Sequence, residues 1–292
     1  MAGLQKNACH DFVFSGDYLE DIRKRIQKPK GAHTMKIGIC TSIGKLPEAK
    51  AIGFDYAELN LSALAGLSPA EFDEALAAIE AAGLPIEAAN VLFPGGFALV
   101  GPGRDMCAVR GYLDTAMARA ARVGVKVVVF GSGGARRAPE GIAASETADD
   151  LQEAARAIAE AAAKHGITAV VEPLNTGETN TINSVTEGRA LMKAVCHHAL
   201  GLLADYYHMA VEEEPMSAIL DAGCLMHAHI ARGKGRTFPL CKEDDDYEGF
   251  FRALAAIQYQ GRVSIEGGTD NFAADAPAAL AFLRALADEC GL

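Results

Sequence analysis

From Met35 onward the chain alternates between short runs of β-favouring residues and Ala- and Leu-rich helical stretches. The runs fall at 36–42, 56–61, 86–93, 125–131, 168–174, 202–206, 226–231 and 262–266. The helical period is clearest over 69–82 and 149–165. Gly83, Gly124, Gly166 and Gly261 follow helical stretches, where a helix commonly closes. Sequential parallel strands need a crossover between them, usually a helix. Eight such units predict an α/β fold that closes as a (β/α)8 TIM barrel. An open sheet built for a dinucleotide would carry GxGxxG after its first strand. The turn Thr41-Ser-Ile-Gly-Lys45 does not supply it. The length of 292 residues suits one barrel, and no long linker interrupts residues 35–292. Residues 1–34 read as an N-terminal extension with a basic cluster (Arg23, Lys24, Arg25, Lys28, Lys30) and a short helix near 17–26.

In such a barrel the active site lies where the strands end. Four of the later runs end in or carry a polar residue. Glu172 ends Thr-Ala-Val-Val-Glu, and Asp205 ends Leu-Leu-Ala-Asp. His229 sits in Leu-Met-His-Ala-His-Ile, and Glu266 ends Val-Ser-Ile-Glu. Burying a charge is costly unless it is paired or bound to a metal, so the four point to one convergent site. Three carboxylates and an imidazole offer hard oxygens and one borderline nitrogen. That set suits one divalent cation. Mn²⁺ is the expectation, and Mg²⁺, Co²⁺ and Zn²⁺ are also compatible. A cation in an open pocket can hold two substrate oxygens and polarise a carbonyl. Glu172 and Glu266 would approach from well-separated strands. One could remove a carbon-bound proton and the other return it from the opposite side.

Neighbouring residues carry weaker signals. His227 lies two residues before His229 and would share its face of the strand. Glu58 and Asn90, near the ends of the second and third strands, could line the pocket or make structural hydrogen bonds. Gly131-Ser-Gly-Gly134 followed by Arg136 and Arg137 combines a glycine-rich turn with arginines. Such backbone can cradle an anion and Arg can clamp one. Arg136 is therefore expected to bind an anionic group of the substrate, with solvated loop charges as the alternative.

The segment Val171-Glu-Pro-Leu-Asn-Thr-Gly-Glu-Thr-Asn-Thr-Ile-Asn183 resembles the fifth-strand motif of the xylose-isomerase-like sugar phosphate isomerase/epimerase superfamily. Asp205-Tyr-Tyr-His-Met209, His227-Ala-His229 with Arg236, and Glu266 resemble its sixth-, seventh- and eighth-strand motifs. The likeness is to the ketose 3-epimerases and hydroxypyruvate isomerase-like members. It implies an isomerase or epimerase acting through a metal-stabilised enediolate on a small carbohydrate. It also implies Glu172, Asp205, His229 and Glu266 as metal ligands, Glu172 and Glu266 as the catalytic pair, and His208 and Arg236 as substrate-binding residues. Arg236 lies seven residues after His229, where the family usually has six, so Arg232 is a rival. An inosose-type dehydratase on the same scaffold would share the first chemical step. An AP endonuclease would need a multi-metal cluster with further histidines. The chain has no His between His33 and His165 and none after His229.

Composition narrows the partners. Lys and Arg total 27 against 38 Asp and Glu, a formal charge of −11. That balance opposes binding to a nucleic-acid backbone, whose affinity comes from basic side chains. Seven widely spaced cysteines with no CxxC pair read as reduced thiols of a cytoplasmic protein, mostly small core fillers. No run is long enough to span a membrane, and no secretory signal is evident. Self-association into a homo-oligomer is compatible with such a barrel.

Overall fold

A computed structural model describes residues 35–292. The extension and its expected helix lie outside the described residues. Eight strands close into one parallel barrel in sequence order. They are β1 (Lys36–Cys40), β2 (Tyr56–Asn60), β3 (Ile86–Asn90), β4 (Val127–Phe130), β5 (Thr168–Val171), β6 (Leu200–Asp205), β7 (His227–Ile230) and β8 (Arg262–Ile265). Eleven α-helices occur among the described residues. They are α1 (Leu46–Ile52), α2 (Leu61–Gly66), α3 (Pro69–Ala82), α4 (Met106–Arg122), α5 (Gly133–Arg136), α6 (Ala144–Ala163), α7 (Val185–Val195), α8 (Tyr206–Val211), α9 (Ser217–Ala222), α10 (Tyr247–Ala256) and α11 (Phe272–Cys290). No helix among them is long and apolar enough to cross a membrane.

Local chemistry sets these elements. Ser68 caps α3 by accepting from the Glu71 amide while the Glu71 side chain accepts from the Ser68 amide, and Pro69 opens the first turn. Gly83 then ends α3 in a left-handed conformation. On α6, Leu151, Ala154, Ala155, Ile158, Ala161 and Ala162 are buried at helical spacing, which gives the helix one face for the barrel wall. That helix starts at Ala144, five residues before the periodic stretch, because its first turn is polar and exposed.

Two apolar layers result. The larger core fills the space between the strands and the surrounding helices. A smaller one, with Tyr56, Ala88, Val127, Val129, Val170 and Leu203, fills the barrel interior. Tyr56 reaches across that interior because β1 carries Gly38 opposite it. A Cβ at Gly38 would lie 2.3 Å from the Tyr56 ring. The interior is therefore solid below the strand ends, and only the upper rim is free to form a pocket.

Candidate active site

The ladder delivers the four strand-end residues to one place. Asp205 closes β6 opposite His229 on β7. Glu172 and Glu266 each lie one residue past their strand, yet their amides still donate to the neighbouring strand, at Phe130 O (3.2 Å) and Ile230 O (3.0 Å). Their side chains thus keep the strand's inward direction. His229 Nδ1 lies 3.0 Å from Glu172 Oε1 and 3.2 Å from Glu266 Oε2. Glu172, Asp205, His229 and Glu266 each offer a ligand atom, all within 4.8 Å of one another. Gly131, just past β4, makes room for this. A Cβ there would lie 2.1 Å from Glu172 Oε2.

Other side chains hold the cluster in place. Asn90 Nδ2 donates to Glu266 Oε1 at 2.7 Å, and Arg236 Nη2 donates to Glu266 Oε2 at 2.5 Å. Arg236 also reaches Glu178 Oε1 at 3.1 Å and lies over the Tyr207 ring at 4.6 Å. His208 accepts from the Asn175 amide at Nδ1 (3.0 Å), while Nε2 points toward Asp205 Oδ2 at 3.5 Å. Burial, with Arg236 adding to it, pulls His208 down to about 3. It is therefore a neutral imidazole whose Nε2–H has no hydrogen-bond partner.

The electrostatics are strongly perturbed. Burial and then the Glu266 charge push Glu172 up. Burial also raises Asp205, against the pull of His229. Burial acts on Glu266 in the same direction, but the His229 and Arg236 charges override it and hold Glu266 low. For His229 burial opposes the proton, and Glu58 and Glu266 overcome it.

A second storey lies beneath. Glu58 on β2 is fully buried. Its Oε2 is 2.8 Å from His227 Nε2 and accepts from Ser264 Oγ at 2.6 Å, and its Oε1 is 3.1 Å from His229 Nε2. Tyr56 OH lies 2.7 Å from Ser264 Oγ. The Cys40 sulfur, at the end of β1, groups with His229 and Glu266 at the pocket wall.

The structure brings together Glu172, Asp205, His229, Glu266, His208 and Arg236. It does not bring Arg136 into the opening. Arg136 is fully buried, with Nη1 donating to Phe130 O (3.2 Å) and Nη2 to Ile182 O (3.5 Å). Burial lowers it to about 10, so it keeps its charge at neutral pH. Its guanidinium ties α5 to the loop after β5 and has no exposed surface with which to meet a substrate anion. Arg137 instead donates to Glu178 O at 2.8 Å. Arg232 pairs with Asp244 at 3.0 Å, so Arg236 is the arginine at the cluster. Glu178, Tyr207 and Cys40 are pocket neighbours that the sequence reading did not single out. Glu178 lies inside the fifth-strand motif, six residues past Glu172, and Tyr207 inside the sixth-strand motif.

The chemistry of the donors fits a divalent cation. Asp205 uses Oδ1 to accept from the Tyr207 amide at 2.8 Å. Its Oδ2 is buried with no hydrogen-bond partner, and Arg236 Nη2 stands 3.6 Å away, too far to donate to it. Such an atom is costly unless something positive meets it. Three converging carboxylates and a histidine nitrogen supply the mixed set that Mn²⁺ or Mg²⁺ accepts.

Comparison with known proteins agrees with this fold. A family model described as xylose isomerase-like TIM barrel matches residues 46–286. The chain belongs to that family. It is similar to a probable ketose 3-epimerase of Synechocystis sp., 38% identical over 119 residues, which is 40% of each chain. The match thus spans about two fifths of that relative's length. Among solved structures, it resembles the apo form of an Escherichia coli 3-keto-D-glucoside 4-epimerase at TM-score 0.72 and 25% identity, over 86% of this chain and 99% of the other. An L-ribulose 3-epimerase superposes with TM-score 0.75 over 88% and 96% of the two chains; at 22% identity this likeness concerns the fold alone.

Proposed function

We propose that this chain is a divalent-metal-dependent sugar epimerase or isomerase acting on a ketose. The observation that carries the reading is the convergence of Glu172 Oε1 and Glu266 Oε2 on His229 Nδ1, at 3.0 and 3.2 Å, with Asp205 in the same cluster. Glu172, Asp205, His229 and Glu266 would hold the ion. Bound there, the ion would draw electron density from the substrate carbonyl and stabilise the enediolate.

The protein's own groups supply the rest. His208 presents an unpartnered Nε2–H and Arg236 a guanidinium, both suited to bind substrate oxygens. One glutamate carboxylate takes the proton from the carbon next to the carbonyl, and the C–H electrons pass into the enediolate. The other glutamate, carrying a proton, returns it to carbon from the opposite side. The reverse reaction exchanges their roles. The names of the similar proteins support a ketose substrate and a configuration change.

The test is incubation with candidate ketoses and Mn²⁺ in D₂O. Deuterium is expected at the carbon adjacent to the carbonyl, with a new epimer or isomer of unchanged mass apart from the label. A cation-loaded protein that incorporates no deuterium into any ketose tested would overturn the reading.

A further inference from the structure

We infer that Glu58 is a positioning residue that fixes the tautomer of His229 and so selects Nδ1 as the nitrogen presented to the cation. The inference rests on the metal-binding reading above and goes beyond it, because Glu58 belongs to a different strand and touches none of the cluster's carboxylates.

The donors around Glu58 settle its state. Ser264 Oγ donates to Glu58 Oε2 at 2.6 Å. Its one proton is committed there, so the Tyr56 hydroxyl must be the donor in the 2.7 Å contact with Ser264. Oε2 takes the Ser264 hydroxyl and faces His227 Nε2, while Oε1 faces His229 Nε2. Only the carboxylate form accepts from all three at once. Each histidine nitrogen facing it must carry a proton, and those nitrogens are His227 Nε2 and His229 Nε2, at 2.8 and 3.1 Å.

The consequence for His229 follows from valence. A ring that ligates a cation keeps one N–H and offers one lone pair. With Nε2 against Glu58 and Nδ1 facing Glu172 and Glu266, a cation in the cluster displaces the Nδ1 proton and leaves the Nε2–H on Glu58. A carboxylate behind the distal nitrogen also raises the basicity of the ligating one and fixes the ring plane. The same logic assigns His227. It is fully buried, its Nε2 faces Glu58 at 2.8 Å, and its Nδ1 has no hydrogen-bond partner. The registers Cys40↔Glu58 and His229↔Ser264 tie the three strands that carry this network to the barrel wall.

The test uses the full chain labelled with ¹⁵N-histidine. In wild type loaded with Mg²⁺ or Zn²⁺, His229 is expected to show a protonated Nε2 and a cation-bound Nδ1. Glu58→Gln replaces one acceptor oxygen with a donor NH₂, which cannot face two N–H groups. Calorimetric titration with Mn²⁺ should then show affinity lowered by ~10–100-fold, the size of effect seen when such supporting partners are lost. Glu58→Asp, which keeps the acceptor, should recover part of the loss. Nε2 metallation in wild type overturns the inference without any variant, and so does Glu58→Gln that binds Mn²⁺ as tightly as wild type. Wild type that binds none of these cations overturns the metal reading itself, a result separate from either of those.

Discussion

The two halves of the barrel do different work. Strands β5 to β8 supply all four residues of the proposed ligand cluster: Glu172, Asp205, His229 and Glu266. Strands β1 to β4 and the turns after them supply none. They contribute instead the groups that hold those four in place. Asn90 bonds Glu266, Glu58 bonds His229, and Gly131 leaves the space that Glu172 fills. The proposed ligands thus all come from one half of the ring of hydrogen-bonded strands, while Asn90, Glu58 and Gly131 support them from the other half and Arg236 from their own. A closed barrel allows this because inward side chains from distant strands meet at its centre.

The contrast can be broken by experiment, beginning with the ion. Chelation should abolish turnover and lower Tm, and Mn²⁺ at about 100 times its Kd should restore about 2.7 kcal/mol of stability. Persistent activity after chelation would remove the basis for calling the later half the reacting one. Next come Glu172→Gln and Glu266→Gln, each expected to cost ~10²–10⁴-fold in kcat as a lost proton-transfer group. Single-turnover deuterium uptake separates that loss from weaker cation binding. In the supporting half, Gly131→Ala forces the Glu172 carboxylate aside and should cost ~10²-fold, the usual penalty for ångström-scale misplacement. Asn90→Ala removes one bond to a charged acceptor. It should lower kcat/KM roughly tenfold, in line with about 1.5 kcal/mol for such a bond.

The smallest effect is expected at the far ends of the strands. Glu87 accepts from Lys36 and Arg262 there, at 2.5 and 2.6 Å, away from the cluster. Burial would raise its carboxyl, but the hydrogen bond from Lys36 and the Arg262 charge bring it below its ordinary value. A carboxylate lowered in the folded state contributes stability above its unfolded pKa, and that contribution fades as pH falls through the folded one. Glu87→Gln should therefore cost about 1 kcal/mol at neutral pH for this partly exposed network. It should also flatten the acid side of the Tm profile and leave kcat unchanged.

The alternation of runs was enough to read the barrel, because inward and outward packing of every strand leaves a mark on sequence. The run ends were less legible. The fifth run reads through to 174, whereas β5 stops at Val171, since Glu172-Pro-Leu continues the apolar character into a loop that turns inward. The convergence of the strand-end residues was legible because a carboxylate at the end of a buried strand contradicts its surroundings. The supports were not. Glu58 and Asn90 carry the same signal whether they line a pocket or bond a neighbour, and the choice depends on strands far away in sequence. Arg136 shows the reverse failure. A glycine-rich turn with arginines reads as an anion site, but two backbone carbonyls and the Phe130 ring at 5.7 Å take the guanidinium instead.

Tyr56 lying across Gly38 has a consequence for time scales. The ring stoppers the lower end of the barrel, and Tyr56, Glu58, His227, His229 and Ser264 have no exposed surface. The protons shared among Tyr56, Ser264, Glu58 and His227 have no route to water except past His229 and the cluster above, so their exchange should be far slower than that of the mouth. Substrate chemistry at the mouth would meanwhile draw on water freely. Dissolved in D₂O, the protein would hold two populations of hydrogen in adjacent storeys, one renewed quickly at the mouth and one that keeps its original isotope far longer.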